Sequence, residues 1–310
     1  MTTSDSISTK SHAQHQSKPD STDKLLLATP VRSQWQIDLQ RLCRHRAAMA
    51  GLILILTIAV MAFLAPWLSP YPYRAQHLDF IRAAPSTQFP LGTDSLGRDL
   101  LSRLLYGARI ALFVALVVVA IEVVIGVPLG MVAGYFRGRL DVAVNTLADM
   151  FWAFPPLVLA MGVVAAVGPG LFNTMVVIAL VSWVPFTRVT RAKVLSLRQR
   201  DFVQASIAIG GTHGWVLRRH ILPNILITNL VLVTLTLPTV LLTVAALSFL
   251  GFGVQPPTPE WGAMLSEGRP YLQEAPWIST FPGLAILLTV IGFNLLGDGL
   301  RDVLDPKQTW

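Results

Sequence analysis

Charge is scarce in this chain. Only 13% of its residues are Asp, Glu, Lys or Arg, whereas soluble domains usually carry about a quarter. That scarcity excludes a water-soluble enzyme, a nucleic-acid binder of ordinary type, and disorder over most of the length. Cysteine is nearly absent too. Cys43 stands alone, so no intrachain disulfide and no thiolate metal centre can form. There is no G-x-x-x-x-G-K-[ST] phosphate loop, no metal-ligating cluster and no nucleophile constellation, so no catalytic residue is assigned. If the protein takes part in ATP-driven work, another chain must hydrolyse the ATP.

What is present is apolar surface, 53% of the residues, arranged in long uncharged runs. A helix needs roughly 20 apolar residues to cross a bilayer. Residues 47–68 meet that requirement without a charge. The stretch between Arg109 and Arg137 carries only Glu122. Between Asp149 and Arg188 lie 38 uncharged residues. As one helix they would reach roughly 57 Å, nearly twice the hydrocarbon thickness. Gly168-Pro169-Gly170 is a turn signal in their middle. The pattern therefore predicts an all-α polytopic membrane protein with six spans, at about 47–68, 110–136, 150–167, 171–187, 221–250 and 275–297.

An even number of spans puts both termini on one side, and the distribution of Lys and Arg chooses that side. With both termini cytoplasmic, the inner segments hold 18 of the 24 basic residues. The net charge of +7 then reads as an orientation signal and an inner-leaflet anchor, without nucleic acid. Residues 1–30 read as a disordered cytoplasmic tail and 31–310 as the membrane domain. Trp35 begins an interfacial helix leading into the first span, with Arg41, Arg44 and Arg46 as headgroup anchors. Trp67, Trp152, Trp183, Trp261 and Trp277 fall near expected interfaces and read as membrane anchors.

The inner loop 188–223 is neither apolar enough to span nor polar enough to be a linker. Its 201–223 part reads as two short helices. The first runs from Asp201, whose carboxylate suits a positive helix N-terminus, to Ile209. Gly210-Gly211 breaks it. The second runs from His213 to Ile221, and Pro223 introduces the next span. Phe202, Ala205 and Ile209 share one face of the first helix. A partly apolar helix on a cytoplasmic loop implies either a protein partner or a helix lying flat on the membrane.

This segment resembles the coupling motif of ABC importer permeases: Glu-Ala-Ala, three residues, Gly, a spacer, then Leu-Pro. Gln204, Ala205 and Ser206 occupy the leading positions, Gly210 follows, and Leu222-Pro223 close it. Gln replaces the acid and Ser the second alanine, with the spacing intact. Phe89-Pro-Leu-Gly-Thr-Asp-Ser-Leu-Gly-Arg-Asp-Leu-Leu-Ser-Arg, continuing to Tyr106-Gly-Ala-Arg-Ile, is similar to the opening signature of the dipeptide/oligopeptide/nickel permeases, C-type subunit. Gly134-Tyr-Phe-Arg-Gly-Arg-Leu-Asp141, Leu247-Ser-Phe-Leu-Gly-Phe-Gly253 and the run from Gly292 to Asp302 extend the likeness over nearly all the chain after residue 30.

The resemblance implies a type I ABC importer permease in a bacterial inner membrane. It would pair with a homologous permease subunit, two ATPase subunits using ATP and magnesium, and an extracytoplasmic substrate-binding protein. No cofactor is expected on this chain. The implied cargo is a di- or oligopeptide. The alternatives are nickel or another small solute carried by the same type of permease, and, from a different class, a stand-alone secondary transporter. The latter would show midplane charge pairs and an internal repeat.

Three groups of residues carry open readings. Arg98 with Asp94 or Asp99 could pin a turn of the outer loop, or these residues could face the substrate-binding protein or gate the outer mouth. Glu122, near mid-span, should face the bundle interior or be protonated. It could meet a cationic peptide terminus or a cation in the pathway, or hydrogen-bond a neighbouring helix. Asp149 reads as a boundary residue. Pro128, Pro155-Pro156, Pro185 and Pro238 fall in spans and are either hinges or static bends. The loop 251–274 reads as a cap over the outer mouth, a docking surface or a passive connector.

Overall fold

The computed structural model describes residues 40–304. The expected tail at 1–30 and the helix expected at Trp35 lie outside that range. The compact unit begins at Arg41. Among the described residues no strand forms beyond a single bridge between Thr93 and Asp99.

Helix α1 (Arg46–Phe63) starts at His45, whose Nδ1 accepts the Ala48 N–H at 3.1 Å. Helix α2 (Leu100–Phe136) is capped by Asp99, which accepts from the Ser102 N–H at 2.8 Å. Its 37 residues are about 55 Å long, so it outreaches the bilayer. It starts ten residues earlier than the uncharged run suggested, because the ion pairs described below let Arg103 enter a helix without meeting lipid.

Helix α3 (Gly138–Trp152) follows a tight turn and is joined to α4 (Pro156–Val167) at a bend of 81°. The span expected at 150–167 is thus not one helix. A residue before proline is pushed out of the helical region, and Pro155 adopts φ −55, ψ 126, so the helix breaks there. Among the described residues five helices are long and apolar enough to cross a membrane, and the bent pair makes up to six.

Gly168 and Gly170 form the expected turn at φ +96 and +149. Helix α5 (Leu171–Ser182) runs through Trp183 into α6 (Val184–Arg198). This helix continues eleven residues beyond the expected end at 187. Proline is tolerated in a first turn, where Pro185 sits, and Arg191 gains a carboxylate partner. Arg191 holds Asp141 of α3 through two contacts, at 2.5 and 2.7 Å.

After α7 (Asp201–Ala208), helix α8 runs unbroken from His213 to Phe249. Pro223 does not separate a short helix from a span, as its position had suggested. A π turn at Leu217–Ile221 absorbs it, with the Leu222 N–H donating to the Leu217 carbonyl five residues back. Helix α9 (Trp261–Gly268) is capped by Glu260. Helix α10 (Trp277–Leu304) then returns through the bundle.

Small residues set the closest helix approaches, as in membrane bundles generally. A Cβ added to Gly51 of α1 would lie 2.6 Å from the Gly292 carbonyl oxygen of α10. Gly126, Gly130 and Gly134 of α2 line one stripe against α6. A Cβ on Gly130 would lie 2.5 Å from the Thr187 carbonyl oxygen. The Thr187 hydroxyl donates to the Gly126 carbonyl at 3.0 Å, and that of Thr190 donates to Asn229 Oδ1 of α8 at 3.0 Å.

Of the five tryptophans, Trp67 is 73% exposed and Trp152 is also exposed, but Trp183 and Trp261 are buried. Trp261 is core rather than anchor, because its indole N–H donates to the Leu104 carbonyl at 3.1 Å and the ring covers Gly107.

Candidate functional site

The first candidate site is built on α7 and the start of α8. The sequence D-F-V-Q-A-S-I-A makes α7 two-faced. Val203 and Ser206 are buried, while Phe202, Ala205 and Ile209 look outward, Ile209 with 84% of its surface exposed. The helix ends in a paired cap. The Gly211 N–H donates to the Ser206 carbonyl and the Gly210 N–H to that of Ile207, both at 3.0 Å. Gly210 has φ +90, the left-handed conformation that such a cap requires. Gln204, Ala205, Ser206 and Gly210 therefore share one short helix and its terminus.

Leu222 and Pro223 belong to α8. Pro223 lines an open pocket of about 580 Å³ with Trp215, Arg218 and Arg219. His220 joins the two halves. Its ring lies 4.9 Å from that of exposed Trp215 and 5.8 Å from that of Phe202. The Gln204 side-chain N–H donates to the Arg198 carbonyl at 2.7 Å, closing the end of α6 where it turns into α7. An ionised glutamate has no proton to donate there.

The segment is fixed to the bundle. Val203, Val216 and Ile221 enter the main core. Buried Tyr135, at the C-terminal end of α2, brings its hydroxyl within 3.1 Å of His213 Nδ1. The Arg198 guanidinium stands over the same ring, 5.6 Å from its centre. Motif reading missed Tyr135, His213 and the glycine stripe as parts of the site. The stripe carried a signal, glycine at every fourth position from 126 to 134. Nothing in the sequence pairs Tyr135 with His213.

At the N-terminal end of α2, Asp94 gathers four donors. Its Oδ1 accepts the N–H groups of Leu96 and Arg98 at 2.9 Å each, and its Oδ2 accepts Arg98 Nε at 2.6 Å and Arg103. Glu267 of α9 completes the cluster, accepting from Arg98 at 2.8 Å and Arg103 at 2.7 Å. Asp99 is not part of it. It accepts from Ser102 and only caps α2. Two buried cations thus face two carboxylates, which keeps the cluster neutral. It holds the 94–103 segment to α9, and the Trp277 indole N–H adds a bond to the Thr93 carbonyl at 3.3 Å. The 251–274 loop is therefore a folded cap packed on α2.

Glu122 is fully buried, and neither carboxylate oxygen has a hydrogen-bond partner. The bond to a neighbouring helix considered from sequence is not made. Asp149 pairs with Arg188 at 2.8 Å, and Arg188 also covers the Trp152 ring. Among the described residues no group of three His, Cys, Asp or Glu side chains could hold a metal ion.

Residues 126–310 match the family described as the binding-protein-dependent transport system inner membrane component. The chain belongs to this family. Residues 33–85 match the N-terminal transmembrane domain of oligopeptide transport permease C. A di/tripeptide transport permease of Pseudomonas aeruginosa is 43% identical over 295 residues, covering 93% of this chain and 96% of that protein. A dipeptide permease of Alkalihalophilus pseudofirmus is 42% identical, covering 89% of this chain and 91% of its own. A glutathione transport permease of Escherichia coli is 42% identical, covering 89% and 92%. The inward-facing MetNI methionine ABC transporter superposes with a TM-score of 0.53 at 22% identity, over 64% of this chain and 95% of that one, which shows the fold. The permease family match begins at Gly126, the first residue of the glycine stripe.

Proposed function

We propose that this permease is the C-type membrane subunit of an ATP-driven peptide importer. It forms half of the translocation pathway and receives mechanical work through residues 201–223. Di- and tripeptides and glutathione are the cargoes named for its relatives. The partners are a homologous permease, two ATPase subunits that use ATP and magnesium, and an extracytoplasmic binding protein. Both termini face the cytoplasm of an inner-membrane protein.

The observation that carries this reading is α7. Its outward face offers Phe202, Ala205 and Ile209 to a partner, while its exposed Gln204 side chain donates to the Arg198 carbonyl at the end of α6. A push on α7 reaches α6 directly. The glycine stripe leaves no slack between α6 and α2, so the push becomes a helix displacement in the membrane. At the far end of α2 the Asp94–Arg98–Arg103–Glu267 cluster receives it. Asp99 caps that same end. In this reading the cluster closes the outer cap when the ATPases part.

The experiment is reconstitution of the whole transporter in proteoliposomes, with dipeptide uptake and binding-protein-stimulated ATP hydrolysis as readouts. Ile209→Asp should abolish both while assembly in the membrane is retained. Full stimulation in that variant would overturn the coupling role.

A further inference from the structure

The transport reading leaves Glu122 without a task. It is the one charged-type residue between Arg109 and Arg137 of α2, and it is completely shielded from solvent with both oxygens unpartnered. Its neighbours one turn back, Val118 and Val119, lie in the cluster that holds Ile178, Ala179 and Val181 of α5. One turn ahead is Gly126, where an added Cβ would meet the Trp183 carbonyl oxygen at 2.7 Å and the Phe186 side chain at 2.6 Å. The carboxyl is thus buried on a stretch of α2 whose positions one turn back and one turn ahead are packed against apolar chain.

No charge compensates it from the surrounding helices. Helix α5 carries no ionisable group at all, and neither does α8 after His220. On α6, Arg188 and Arg191 are engaged by Asp149 and Asp141 of α3, and Lys193 and Arg198 lie further inward. On α3, Arg139 sits beside the inner turn. Helix α1 has only Arg46 at its start, and α10 has Asp298, Arg301 and Asp302 near its end. On the outer side, Glu267 of α9 is held by Arg98 and Arg103. Arg109 of α2 stands over the Tyr106 ring. Among the described residues, none of these groups forms an ion pair with Glu122.

A bare carboxylate in such a place is strongly disfavoured unless it neutralises. The site also lies where the helices are weakened. Pro128 interrupts the hydrogen bonding of α2 a turn and a half further on, and the facing chain changes from α5 to α6 at Trp183, with Pro185 next.

We propose that Glu122 is a proton-binding site. Its carboxyl holds one proton while α2 is closed on α5 and α6, and it releases that proton to water when those helices part during the transport cycle. The proposal rests on the permease reading, because it needs a cycle in which α2 and α6 move. The transfer is a simple ionisation, one carboxylic acid giving one carboxylate and one hydrated proton.

The test is infrared difference spectroscopy of the assembled transporter in membranes, comparing the nucleotide-free state with the state trapped by ATP and vanadate. A protonated-carboxyl C=O band that shifts in deuterium oxide and vanishes in Glu122→Gln should lose most of its intensity on trapping. Equal intensity in the two states would overturn the proposal, as would the absence of any band sensitive to that substitution. If Glu122→Gln does not assemble, labelling of the wild-type complex by dicyclohexylcarbodiimide decides. This reagent attacks protonated carboxyls in apolar surroundings. Modification of the Glu122 peptide should fall severalfold on trapping, and unchanged labelling would overturn the proposal. Failure of the permease reading would show separately, as ATP hydrolysis indifferent to Ile209→Asp.

Discussion

The Tyr135 hydroxyl and Nδ1 of His213 meet at 3.1 Å, although 78 residues separate them in the chain. This pair ties the C-terminal end of α2 to the first turn of α8. Replacing Tyr135 with Phe should remove the bond and keep the packing. The expected stability loss is about 1 kcal/mol, and coupling of ATP hydrolysis to uptake should fall more than stability does. Parallel measurement of thermal unfolding and of peptide moved per ATP checks it. A loss of stability without a change in that ratio would make the bond purely structural.

Gly130→Ala addresses the α2–α6 contact. The new methyl would press on the Thr187 carbonyl oxygen at 2.5 Å and the Thr190 side chain at 2.8 Å. Both belong to a packed helix, so the helices must separate. Overpacking of this kind costs about 1–3 kcal/mol. A lower unfolding temperature in detergent is expected, together with weakened coupling. Unchanged values for both would mean that the two helices slide freely.

Gly210→Pro changes the end of α7. Proline fixes φ near about −65°, whereas Gly210 needs φ +90 and donates its N–H to Ile207. The terminus should refold locally, leaving the membrane core intact. Basal ATP hydrolysis by the complex should persist while its stimulation by the loaded binding protein is lost. Normal stimulation would show that the bend is irrelevant.

Glu267→Gln leaves Arg98 and Arg103 with Asp94 as their sole carboxylate. Removing one partner of a buried ion cluster costs about 3–5 kcal/mol when burial is complete. The Glu267 side chain is 19% exposed, so a loss toward the lower end is expected. The cap should detach from α2. Faster reaction of a cysteine placed at Leu104, beneath Trp261, with a thiol reagent would report it. An unaltered rate would show that the indole contact alone holds α9.

Glu260 gives stability a pH dependence. It is 2% exposed and caps α9 by accepting the Ala263 N–H at 2.9 Å. Burial holds its carboxyl above the ordinary value of 4.5, against the lowering effect of the Gly262 and Ala263 N–H groups and the Ser248 hydroxyl. The folded cap therefore binds a proton more readily than the unfolded chain. Its stability is greatest below 4.5 and declines as pH rises through the raised folded value. Glu260→Gln keeps an acceptor and removes the titration. The variant's unfolding temperature should vary less with pH over that window than the wild type's. Parallel profiles would assign the dependence elsewhere.

Much of the fold was legible because it follows from one solvent. A bilayer demands long uncharged runs, so the charge gaps marked the membrane segments, and the glycines at 168, 170 and 210 marked the turns. The short helix α7 was legible because Asp201, the Phe202–Ile209 face and Gly210 are local signals. The helix ends were less legible. Pro155-Pro156 broke a helix that hydropathy had drawn straight. Pro223 failed to break one, because it follows a π turn closed by the Leu222 N–H on the Leu217 carbonyl and sits in the first turn of the helix that continues. Hydropathy counts side chains, while these outcomes depend on backbone hydrogen bonds.

The sequence alone determined that this is a helical membrane protein, where its glycine turns fall, and which loop carries a short two-faced helix. These follow from composition and spacing along the chain. Only the tertiary structure decided that Arg98 pairs with Asp94 while Asp99 serves as a cap, that Glu267 completes the cluster, that Trp261 is core, and that Glu122 has no partner. Each depends on groups brought together from distant helices. Arg103 and Glu267 are 164 residues apart, and whether a buried charge is satisfied is set by which helix faces it, a property that no local run of residues contains.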